Sequence, residues 1–127
     1  MNKFSMGFRR VVILGILVNL FFALPGIFIP NAVLGLVDIP PVTDPVWPAF
    51  ASLLLLLLSL FYIPGAIDPF RHTAVAWLSV LSRFAGVWFF FFLWPGLELF
   101  AWIDLFFGCI TLVLLFLALR RGPDSEV

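Results

Sequence analysis

Residues 80–92, VLSRFAGVWFFFF, set one arginine, Arg83, in a run otherwise fit for lipid. The apolar run reaches from Thr73 to Trp94. A helix needs about 20 mostly apolar residues to cross a bilayer. We therefore read 73–94 as a membrane span, and that reading decides the fold. Working outward, three more stretches meet the same criterion: residues 11–30, VVILGILVNLFFALPGIFIP; residues 49–67, AFASLLLLLLSLFYIPGAI; and residues 97–119, LELFAWIDLFFGCITLVLLFLAL. Short connections make sequential helices antiparallel neighbours. The expected fold is all-α, an integral membrane four-helix up-down bundle.

Composition agrees with lipid as the main solvent. The 127 residues are 64% hydrophobic and 11% charged, against about 45–50% and 25% in soluble domains. The net charge is zero, so a nucleic-acid partner has no electrostatic support. The single cysteine, Cys109, cannot form an internal disulfide. Lying beside Gly108 in an apolar run, it is read as a small packing residue. The single histidine, His72, excludes bis-histidine haem ligation or a zinc cluster from this chain alone. No cofactor or metal is expected.

Orientation follows from the basic residues. Lys3, Arg9 and Arg10 precede the first span, Arg71 lies in the 68–72 turn, and Arg120 and Arg121 follow the fourth span. The other two connections carry no Lys or Arg. The positive-inside rule then puts residues 1–10, 68–72 and 120–127 in the cytoplasm and the 31–48 loop outside. So uneven a bias argues against dual topology. Trp47 and Trp94 fall at the outer boundary, where amphipathic rings are favoured. The N-terminus has the basic start of a signal peptide. Its apolar run is too long for one and closes on no A-x-A site, so the first span is expected to stay uncleaved.

Proline and glycine punctuate the spans. The outer segment, NAVLGLVDIPPVTDPVWP, holds four of the ten prolines. Asn31 is placed to cap a short helix through Leu36 or Val37, whose apolar side suits the membrane interface. Asp38 and Asp44 make this loop acidic, which is read as a solvated cap. Pro-Gly recurs after aromatic residues at 25–26, 64–65 and 95–96. These pairs sit near span ends. They read as helix punctuation and aromatic anchoring rather than as the broken helices of a transporter.

Arg83 lies about 15 Å into its span, near the midplane. Its cost there is roughly 2.5–3.5 kcal/mol on insertion scales. The guanidinium has five N–H donors to satisfy. Asp104, in the fourth span, sits within about 5 Å of the same height, given a core about 30 Å thick. On a helical wheel Ala76, Ser79, Gly86 and Phe90 share the Arg83 side, and Ala101, Gly108 and Thr111 share the Asp104 side. Such small residues allow close helix approach. An Arg83–Asp104 pair across the 95–96 turn is expected. Asn19 adds a polar group at mid-depth in the first span, beside Gly15, Ala23 and Gly26. Ser52, Ser59 and Tyr62 add a stripe to the second.

This polar line admits two readings. One is structural, with interhelical polar contacts setting register. The other is a site for a small molecule, since ionisable groups at membrane depth default to a functional hypothesis. Arginine holds its proton, so the pair suits an anionic or carbonyl head group better than proton transport. Asp68 and His72, in DPFRHT, read as a turn and a surface residue, and Glu98 as solvated.

Three four-span families of this size do not match. Small multidrug transporters need a first-span carboxylate, fluoride channels a Gly-rich motif ending in Arg-Tyr, and vitamin K epoxide reductases a Cys-x-x-Cys pair. The first-span close LPGIFIP, the outer VLGL, then FYIPGAIDPFR and VAWLSVLSRFAGVWFF instead resemble the DoxX-like small bacterial four-span membrane proteins over residues 11–110. That resemblance implies a four-helix protein of a bacterial inner membrane, sometimes accessory to oxidoreductase or quinone-linked systems. It carries over no catalytic residue. The function expected is a non-enzymatic subunit or assembly partner of a larger membrane complex, with membrane lipid and a protein as partners. The alternative is a binder of a lipid- or quinone-like ligand through Arg83, Asp104 and Asn19. A small transporter is the third reading.

Overall fold

The computed structural model describes residues 2–94 and 96–123. Within them the chain is all-α, with no strand. The elements are α1 (Lys3–Phe28), α2 (Pro30–Leu36), α3 (Val46–Phe61), α4 (Ile63–Ile67), α5 (Thr73–Trp88), a π-helical turn (Phe89–Leu93) and α6 (Glu98–Arg121). Four stretches are long and apolar enough to cross a membrane: Lys3–Phe28, Val46–Ile67, Thr73–Leu93 and Glu98–Arg121. The chain is a multi-pass membrane protein.

Helix ends follow local chemistry. Asn2 starts α1, its Oδ1 accepting the Ser5 N–H at 2.9 Å while Ser5 Oγ donates to the Asn2 carbonyl at 2.8 Å. Pro25 lies inside α1, which runs on to Phe28. Pro30 opens α2, where the missing N–H costs nothing. Asn31 is not the cap of α2: Ile29 holds that position with no side-chain bond. Asn31 instead clips the following loop, its Nδ2 donating to the Val42 carbonyl at 3.1 Å and its Oδ1 accepting the Val42 N–H at 2.9 Å. The left-handed Asp38, φ +60, closes α2 as the Ile39 N–H reaches the Leu34 carbonyl.

The second span is broken at Tyr62, and Pro64 falls in the first turn of α4. The third span is not α-helical throughout. From Phe89 it winds as a π turn, closed by the Trp94 N–H on the Phe89 carbonyl at 3.0 Å. The expected 95–96 turn includes Pro95, which lies outside the described residues, as do residues 124–127 of the expected tail. At Gly96 φ is +117. α6 carries Glu98 in its first turn and Arg120 and Arg121 in its last, matching the helix dipole.

The described residues form two compact units. One is Gly15–Phe61 and the other is built from the chain on either side of it. In the latter, α5 and α6 pack together most extensively and α4 packs on α5. Gly65 makes the α4–α5 approach possible, since a Cβ there would lie 2.7 Å from the Ala76 nitrogen. Three chain segments meet at one end of this unit. Asn2 Nδ2 donates to the carbonyls of Ala118 at 3.0 Å and Gly122 at 2.9 Å. Arg9 donates to the Ile67 carbonyl at 2.7 Å. The start of α1, the end of α4 and the end of α6 are thereby held together.

Candidate functional site

The α5–α6 seam is lined by small residues. Ala76 and Ala101 are fully buried, and Ser79, Gly108 and Thr111 are buried with them. This lets the backbones approach and leaves room for one large polar pair. Arg83 Nη1 donates to Asp104 Oδ1 at 2.9 Å, with side-chain exposures of 9% and 17%. The guanidinium carbon also lies 5.1 Å from the centroid of the Phe107 ring, a cation–π contact from one turn below Asp104. The other carboxylate oxygen, Oδ2, rests against Gly86, where a Cβ would collide with it. Both oxygens of Asp104 therefore meet α5, one at a charge and one at a bare backbone.

The surrounding hydroxyls are engaged as well. Ser79 Oγ donates to the Ala76 carbonyl at 2.7 Å, and Thr111 Oγ1 to the Phe107 carbonyl at 2.7 Å. Ser82 Oγ donates to the Ser79 carbonyl at 3.0 Å and is hydrogen-bonded to the Tyr62 hydroxyl. A hydroxyl has one proton to give, so Tyr62 is the donor of that second bond. Most of these hydroxyls are turned back onto their own helices.

Asn19 belongs to the other compact unit. There its Nδ2 donates to Ser59 Oγ at 3.0 Å, and Ser59 Oγ donates to the Leu55 carbonyl at 2.8 Å. Both residues are buried. Ser52 Oγ donates to the Pro48 carbonyl at 2.9 Å. Cys109 is exposed, not packed inside, because it stands on the side of α6 away from Gly108's seam. Glu98 accepts the Gly96 N–H at 3.0 Å. Asp68 Oδ1 accepts the N–H groups of Phe70 and Arg71, forming the turn before α5, and His72 is exposed.

Two features escape a reading of spans and charges. Phe107 under Arg83 follows from its place three residues after Asp104, on the same helix side. Asn2, buried to 1% exposure, serves the start of one helix and the end of another. Its signal is a capping residue three before Ser5, ahead of the apolar run. Compared with known proteins, the chain matches no family model, no curated protein and no solved structure.

Proposed function

We propose that the chain is a non-enzymatic subunit or assembly partner of a larger complex in a bacterial inner membrane, with both termini cytoplasmic. The observation that carries this reading is the closure of the Arg83–Asp104 pair. Each oxygen of the carboxylate meets α5, and the guanidinium lies on Phe107. Charges used in this way fix helix register. What the chain then offers a partner is helix surface. On α6, Leu99, Trp102, Phe106, Val113 and Phe116 are exposed at spacings of three, four and seven, the pattern of a helix-packing seam. The resemblance to DoxX-like proteins points the same way. Photo-crosslinkers at Trp102 and Phe106 should trap one protein of defined mass, whereas one at Leu78, exposed on α5, should trap lipid. Lipid adducts alone at all three positions would reject the reading.

The alternative, a binder of a lipid- or quinone-like ligand, draws support from the partial exposure of Asp104. A quinone or other non-phospholipid molecule that stays with the purified wild-type protein and leaves with Asp104→Asn would favour it.

A further inference from the structure

At the end of the unit where α1 begins and α6 stops, Lys3 Nζ lies 5.3 Å from the centroid of the Phe4 ring. The Arg121 guanidinium carbon lies 5.7 Å from the same centroid. Two cations from opposite ends of the sequence thus share one aromatic ring. They are no farther apart than those two distances together. A carboxylate between them would neutralise them; a ring orders them and leaves both charges available to an anion. The arrangement is also braced. Asn2, adjacent to Lys3, is bonded to the carbonyls of Ala118 and Gly122 on either side of Arg121. Among the described residues, no carboxylate is paired with Lys3, Arg120 or Arg121. Asp68 is the acidic residue nearest in sequence to the turn held at this end, and its Oδ1 already takes two backbone N–H groups.

We propose that Lys3 and Arg121, ordered over Phe4, form a seat for the phosphate of an anionic phospholipid. The occupant follows from where the seat lies. It joins the ends of two membrane-crossing helices, the level at which phospholipid head groups surround the protein. A phosphodiester bearing a net negative charge suits two fixed cations. A zwitterionic head group brings its own cation to the same place. This proposal rests on the membrane reading alone, so its failure leaves the subunit reading standing.

The test uses the full chain, delipidated in mild detergent, with phosphatidylglycerol, phosphatidylcholine or inorganic phosphate added back. Bound lipid is counted by native mass spectrometry and stability is followed by melting. Phosphatidylglycerol should be retained and should raise the melting temperature; the other two should do neither. Each cation near a membrane surface is worth about fivefold in affinity for anionic lipid. Lys3→Gln with Arg121→Gln should therefore lower retention by an order of magnitude or more, with the lipid-free melt unchanged because both side chains are exposed. Arg10→Gln with Arg71→Gln removes the same charge and should leave retention nearly intact. Equal losses in the two double variants would reduce the effect to diffuse attraction and overturn the proposal. So would equal stabilisation by inorganic phosphate or phosphatidylcholine. Binding that emerges only in Asp124→Asn with Glu126→Gln would show the chain's own carboxylates in the seat, and would overturn it too.

Discussion

Arg83 and Asp104 are worth more as a pair than either is alone. Removing one partner strands the other charge between packed helices; removing both strands none. Arg83→Leu and Asp104→Asn should each cost about 1–3 kcal/mol, tempered by other partners in a membrane. The combined variant should recover much of that loss. Melting in detergent and folded yield measure all three, and simple addition of the two losses would deny the coupling. Asn19→Leu is the comparison, and should cost less than either single change because it leaves Ser59 with only a neutral bond unmade. The ion pair was legible in the sequence because helical rise put two opposite charges within about 5 Å of one height and the helical wheel gave each a side of small residues. Gly86 was placed on the Arg83 side by the same reasoning, but Phe107 was not read as the ring at the guanidinium. Which ring lies at the guanidinium and which bare backbone meets the carboxylate depends on the rotation of both helices, and one sequence constrains that loosely.

Among the elements, long apolar runs announced themselves, since any window of about 20 such residues reads as a span. The interruptions did so unevenly. The second span breaks at Tyr62, two residues before Pro64 of a Pro-Gly pair read as punctuation, while the third span turns to π geometry among four consecutive phenylalanines. Pro64 is a local signal for the first of these, whereas the π turn has none strong enough to outweigh apolar periodicity. Asn31 shows a capping residue recruited instead by a loop. Packing between elements makes sharper demands. Gly65→Ala should lower the melting temperature clearly, because the new methyl meets the backbone of Ala76. Gly35→Ala, with open space at that position, should change it little or raise it slightly. Equal effects at the two sites would contradict the α4–α5 contact. Asn2→Leu removes the first cap of α1 and two bonds to the end of α6. A loss of about 1–2 kcal/mol is expected, read as a lower melt; an unchanged melt would mean the staple contributes nothing.

For the whole molecule, four apolar stretches long enough to cross a membrane and the placing of every basic residue outside the expected spans in the terminal segments or the 68–72 turn, Arg83 alone lying within one, predict one topology. Reporter fusions after Arg121 and after Arg71 should report cytoplasm, and one within residues 38–46 the opposite side. A C-terminus on the outer side would overturn that arrangement. The function proposed depends further on what the buried charges are for. Native mass spectrometry of the intact protein, wild type beside the Arg83→Leu, Asp104→Asn double variant, addresses this most directly. With the pair serving as a helix clamp, both proteins should fold and release the same set of bound molecules. A quinone- or lipid-like molecule present on the wild type and missing from a well-folded double variant would make the pair a binding site and contradict the account.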